Sequence, residues 1–206
     1  MASKKTLVDI VRKLLQHLEV SDGLTYRDEV VAKIIHMCSQ EHYQFVTNFE
    51  WYIQVLVQLT RVESTRHGKL LANQLMDVAI RVKVIRPFAT KQMAGLLTDQ
   101  RLFSGANTVN GVCEVLYAAA WVVGEFGDVL EEPLPVMEAL LQPRISSLPP
   151  HIQAVYVHNT VKFYGAMVRC KVDEEVLTQL LDMMAKRLPL FVQSGDLEVQ
   201  VRWRGS

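Results

Sequence analysis

Residues 68–87 read GKLLANQLMDVAIRVKVIRP. Within this run Leu71, Leu75, Val78, Ala79, Val82 and Ile85 recur at helical spacing and form one apolar stripe. Asp77 and Arg81 stand four residues apart on the opposite side, where an acid and a base support a helix. Pro87 lacks an amide donor and disfavours helix at Arg86, so the spacing predicts a turn there.

The same grammar repeats in both directions. Residues 4–20 predict a first helix, ended by Ser21-Asp22-Gly23, with glycine suited to a left-handed C-cap. A second is predicted over residues 25–38, with Thr25 as N-cap and Asp28 and Glu29 in the first turn. Phe49, Tyr52, Ile53 and Leu56 share one face of a third. Beyond residue 87, Phe88, Met93, Leu96 and Leu97 mark a short helix, and Ser104-Gly105-Ala106-Asn107 reads as a loop. Residues 110–126 are apolar nearly all round, which predicts a helix with neighbours on several sides. Pro133, Pro135 and Pro143 bracket a short helix between two turns. Pro149-Pro150 opens another, whose face is Ile152, Val155, Tyr156, Phe163, Tyr164, Met167 and Val168, with Asn159 its polar member. Leu177, Leu180, Leu181, Met184, Leu188 and Phe191 define the last, over residues 173–192. The alternation of Leu197, Val199, Val201 and Trp203 reads as a fraying or truncated helix start.

Helix pairs therefore begin near 25, 68, 107 and 149, a step of about 40 residues that is the mark of HEAT or armadillo stacking. The expected fold is all-α, a HEAT/armadillo-like α-solenoid of about four antiparallel helix pairs, with residues 1–206 as one unit. Each pair buries its apolar face only against its neighbours, and the resulting curved surface suits a scaffold that holds partners.

Composition agrees. Half of the 206 residues are hydrophobic, and only 7 are proline and 10 glycine, so a packed core is expected. Lys+Arg and Asp+Glu balance at 22 each, which leaves no global field to gather nucleic acid. Cys38, Cys113 and Cys170 are odd in number and far apart, and no signal-peptide pattern is present, so a reducing, cytosolic setting is expected. The most apolar run, residues 115–123, falls well short of the about 20 residues a membrane helix needs.

Catalytic signatures are missing: the sequence holds no P-loop, G-x-G-x-x-G, H-E-x-x-H or G-x-S-x-G, and no cofactor is implied. His36, Cys38 and His42 are the nearest metal-like set, but positions 36 and 38 point about 200° apart on a helix and do not share one ion. Cys113 beside Glu114, with His151 or His158 elsewhere, has the composition of a thiol nucleophile and base. Its apolar helix makes a core cysteine the simpler reading. Arg81, Lys83, Arg86 and Lys91 form a local basic cluster, a candidate contact for a partner or an anionic headgroup, or a solvated helix end. Trp51-Tyr52 are candidate peptide anchors, with Tyr52 on the core stripe, and Trp121 is expected in the core.

Several words in the chain resemble the delta-adaptin family, the delta large subunits of the third heterotetrameric adaptor-protein complex. They are YRDE (26–29), TNFEWYI (47–53), TRHG (65–68), DVAIRVK (77–83), EVLYAAAW (114–121), LP with HIQAVYV (148–149, 151–157), and FVQS with DLEVQ (191–194, 196–200). The resemblance extends over nearly the whole chain. It departs at residues 201–206, VRWRGS, where such adaptins continue into further helices, and neither the first half of the trunk nor a hinge or appendage is recognisable. A partial trunk segment is therefore expected.

The resemblance implies a non-enzymatic scaffold subunit of a vesicle coat that sorts membrane cargo from Golgi and endosomes towards lysosomes and related organelles. It implies sigma, beta and mu subunits as partners, recruitment by an Arf-family GTPase, and peripheral membrane association. It carries no cargo-binding residue onto this stretch. The competing readings are a generic HEAT scaffold in another assembly and a helical enzyme domain using Cys113.

Overall fold

The computed structural model describes residues 4–20, 23–62, 65–105 and 108–192. Among them nine α-helices follow one another: α1 (Lys4–Val20), α2 (Leu24–Tyr43), α3 (Phe49–Leu59), α4 (Gly68–Arg81), α5 (Arg86–Leu97), α6 (Glu114–Phe126), α7 (Pro133–Leu140), α8 (Pro150–Arg169) and α9 (Glu174–Val192). Short 3-10 turns fill Lys83–Ile85, Gln100–Gly105, Gly127–Val129 and Pro143–Ser147. No strand occurs among the described residues. The alternating tail at 197–203 lies outside them, as do 21–22, 63–64 and 106–107 of the expected loops.

The helices pack as two rows. In one row α4 lies against α6 and α6 against α8; in the other α3 lies against α5, α5 against α7, and α7 against α9. The pairs α2–α3, α4–α5 and α8–α9 bridge the rows, and α5 and α7 also lean on α6 and α8 of the pairs that follow them. This is an α-solenoid, and its core is one continuous cluster from Leu7 in α1 to Phe191 in α9.

Capping chemistry explains several starts. Asn48 precedes α3 and its Oδ1 accepts from the Trp51 N–H at 3.0 Å. Proline occupies the first turn of α5, α7 and α8, where its missing N–H costs nothing. Two expectations fail locally. Thr25 is not the N-cap of α2: Gly23 holds that place with no side-chain bond, and Asp28 instead accepts from the Thr65 hydroxyl and the Arg66 N–H, joining α2 to the next repeat. The third pair starts its helix at Glu114, later than the spacing near 107 implies. Residues 108–113 form turns, in which Asn110 takes a left-handed φ of 55° and presents its carbonyl to the Gly68 N–H at 2.9 Å.

The end of α2 has its own device. Regular dihedrals stop at Gln40, and Glu41, His42 and Tyr43 take φ of 46°, 57° and 65°. Left-handed backbone costs non-glycine residues about 1–2 kcal/mol each. It delivers the Tyr43 ring edge-on to Phe49 at 5.9 Å and its hydroxyl to α4, where it donates to Asp77 Oδ2 at 2.5 Å, with Gln74 Oε1 3.1 Å away. The fully buried Tyr52 donates to the same Gln74 oxygen at 3.0 Å.

Burial tends to raise the Asp77 carboxyl, but hydrogen bonds from Tyr43 and Arg81 outweigh it and hold Asp77 below the usual carboxylate range. A depressed folded value contributes stability that is full above the unfolded value of about 3.9 and is lost as pH falls through the folded one. Asp77→Asn should therefore flatten the decline of stability below about pH 5, read as urea midpoints against pH. Tyr43→Phe should cost about 1 kcal/mol at neutral pH.

Within their row α6 and α8 pack closely at two glycines. A Cβ on Gly124 would lie 2.3 Å from Asn159 Oδ1, and one on Gly127 would lie 2.5 Å from the Phe163 ring. Asn159, the polar member of the α8 face, is buried against Gly124, and its amide donates to the Val155 carbonyl at 2.9 Å. Val168 and Leu181, both expected on inward faces, are instead 46% and 52% exposed.

Candidate interaction surfaces

The basic cluster separates into two kinds of side chain. Arg81 is ion-paired to Asp77 at 2.6 Å, as the four-residue spacing suggests. Arg86 turns inward: its Nε and Nη2 donate to the Ala79 and Ile80 carbonyls at 3.0 and 2.8 Å, and its guanidinium lies 4.4 Å from the centre of the Phe126 ring. It thus closes the C-terminal end of α4 and ties it to α6. Lys83 and Lys91 are exposed. Lys83 sits in the turn between α4 and α5 beside Val84, which is 85% exposed.

Lys91 borders a groove of about 600 Å³ between α5 and the turn that leads into α7. Phe88, Leu130 and Val136 line it, and Glu131 and Glu132 stand on the wall contributed by that turn. The groove escaped sequence reading because its walls come from two separate repeats. A second cleft of about 500 Å³ lies between the start of α2 and the loop before α4, bordered by Asp28, Glu29, Arg66 and His67.

The reactive-looking residues resolve into packing. Cys38 is buried, and burial pushes its thiol up to about 12. His36 faces outward and contacts Gln40 at 3.2 Å. Among the described residues no three His, Cys, Asp or Glu side chains converge on one ion. Cys113 is buried at the start of α6, and burial, aided by the Glu114 charge, pushes its thiol up to about 11. The His151 ring faces the Glu114 carboxylate at 3.0 Å, linking the N-terminal turns of α8 and α6. A thiol whose anion is this disfavoured reacts slowly. With a maleimide at neutral pH, exposed Cys170 is expected to label at least tenfold faster than Cys38 or Cys113; rapid labelling of native Cys113 would refute this packing account.

Trp51 is partly buried against the core and Tyr52 fully buried. Trp121, expected in the core, is only partly buried and meets Phe126 edge-on at 6.0 Å. No described helix is long and apolar enough to cross a membrane.

Two rows of packed helices and a core continuous across them define a helical-repeat fold. A family model described as the adaptin N terminal region matches residues 1–204. The chain is 53% identical over 205 residues to AP-3 complex subunit delta-1 of Bos taurus, covering 98% of this chain and 17% of that protein. It is 42% identical to AP-3 complex subunit delta of Dictyostelium discoideum, covering 98% of this chain and 20% of that protein. Against AP-3 complex subunit delta of Arabidopsis thaliana it is 32% identical, over 79% of this chain and 18% of that protein. The chain belongs to the adaptin family and, within it, groups with the delta subunits of AP-3 complexes. It spans about a fifth or less of the length of these relatives.

Proposed function

We propose that this chain is a stretch of delta-adaptin trunk that serves as a non-enzymatic scaffold in a heterotetrameric adaptor complex. The observation that carries the reading is the family match over residues 1–204 on an unbroken solenoid core. Rigid repeats present broad surface, and association draws on a few anchors within it. The partners are the sigma, beta and mu subunits of the same complex, with membrane recruitment through an Arf-family GTPase and cargo sorting from Golgi and endosomes to lysosomes and related organelles. Lys83 and Lys91 are the first candidates for a partner or headgroup contact, with exposed Arg81, already paired to Asp77, beside them; Arg86 is turned onto α4 and Phe126.

Crosslinking in the assembled complex tests this. Crosslinks from residues 4–192 to another subunit are expected. Their absence, with the complex intact, would defeat the partner-contact reading. Lys83→Gln with Lys91→Gln should lower retention on anionic vesicles or lose one set of crosslinks; a change in neither would remove these lysines from the interface.

A further inference from the structure

The turns that join one helix pair to the next carry a repeated word. It reads RVES at 61–64, RLFS at 101–104 and RISS at 144–147: arginine, an aliphatic residue, any residue, serine. The aliphatic position points into the core, with Leu102 and Ile145 buried and Val62 partly buried. Pinning that residue inward turns the preceding arginine outward, and Arg61, Arg101 and Arg144 are all exposed.

These turns lie along one edge of the solenoid and are bonded to one another. Gln142 Nε2 donates to the Leu97 carbonyl at 2.8 Å, and the Gly68 N–H donates to the Asn110 carbonyl at 2.9 Å. Arg144 reaches back to hydrogen-bond Gln100, and its guanidinium lies 5.9 Å from the Phe103 ring. Arg101 grips Asp99 with two nitrogens, at 2.9 and 2.5 Å, and Arg61 is near enough for its charge to act on the same carboxylate. In sequence the three turns set two acids, Glu63 and Asp99, against Arg61, Arg66, Arg101 and Arg144.

We propose that Arg61, Arg101 and Arg144 form an arginine ladder that binds an acidic, extended segment of a partner protein, one carboxylate per repeat. Packed helices stand about 8–10 Å apart, so successive rungs are separated by about that distance. A polyproline II segment has three residues per turn and a rise of about 3.1 Å, which returns every third side chain to the same side after about 9 Å. Acids at i, i+3 and i+6 therefore match the rungs, and guanidinium groups bind carboxylates in a planar, two-pronged geometry. Asp99 also explains why a peptide is favoured over a lipid surface, since a carboxylate amid the rungs would oppose a continuous anionic plane. The ladder stands on the turns alone and is independent of the adaptor reading.

The test uses the full chain and two fluorescein-labelled peptides of equal charge, EPPEPPE and EEEPPPP, in anisotropy titrations at low salt. The phased peptide should bind at least about threefold more tightly than the clustered one. Arg61→Gln, Arg101→Gln and Arg144→Gln should each weaken it about two- to fivefold, as expected for exposed ion pairs. Asp99→Asn should tighten it, and Lys13→Gln on α1 should leave it unchanged, with circular dichroism confirming the fold of each variant. Equal affinity for both peptides, wild-type binding by the triple arginine variant, or binding to phosphatidylserine vesicles without peptide binding would overturn the proposal.

Discussion

Gly68→Ala is expected to destabilise the chain by about 3 kcal/mol, towards the upper end for overpacking. A Cβ at this position would sit 1.8 Å from the Gly111 carbonyl oxygen and 2.5 Å from its carbon. Both are main-chain atoms, so no rotamer change relieves the clash. The Gly68 N–H is also spent on Asn110, which fixes the two turns face to face. Relief must come from parting α4 from the turn before α6, and that breaks the bond and opens the core. Gly95→Ala supplies the contrast, because a Cβ there meets nothing within 4 Å. In the interior of α5 it should stabilise by about 0.5–1 kcal/mol through helix propensity. Urea midpoints followed by far-UV circular dichroism measure both. Equal and small effects at the two glycines would mean that the turns are not locked together.

The difference between these glycines shows what sequence reading reaches. Period alone reveals α4, because its stripe from Leu71 to Val78 faces a single direction. It also reveals α6, whose all-round apolarity matches packing against α4, α5 and α8. Positions where two distant turns meet are invisible to it. Nothing in the words around Gly68 or Gly95 tells which one faces a carbonyl from a later repeat.

The same blindness affected the basic cluster. Arg86 looks like its neighbours in sequence, yet it is tied to Phe126 and to carbonyls of α4, while Arg81 stays exposed in its pair with Asp77 and the two lysines remain outward. The left-handed turn at 41–43 was hidden because no glycine announces it, and Tyr43 holds it through bonds to α4. The arginine word was legible throughout. It recurs at the period of the fold, but a signal of one residue per repeat stands out only once the turns are known to share an edge.

Phe163→Ala is expected to cost about 3–5 kcal/mol, the range for a large aromatic removed from a closed core. Phe163 is fully buried and fills the space that Gly127 leaves between α8 and the end of α6. Gly127→Ala attacks the same fit from the other side, since its Cβ would lie 2.5 and 2.7 Å from two ring carbons. A buried ring has little room to retreat, so this change should cost about 1–3 kcal/mol. Combining Gly127→Ala with Phe163→Leu separates a real ridge-and-groove fit from two independent losses. The smaller side chain makes room for the added methyl, and the double variant should be more stable than the sum of the singles by about 1 kcal/mol or more. Strict additivity would show that the two residues do not set the spacing of α6 and α8. That spacing matters beyond stability. It fixes the step between successive repeats, and a partner that reads one arginine per repeat is sensitive to the step. The double variant should therefore restore phased-peptide binding together with stability, whereas Gly127→Ala alone should weaken both.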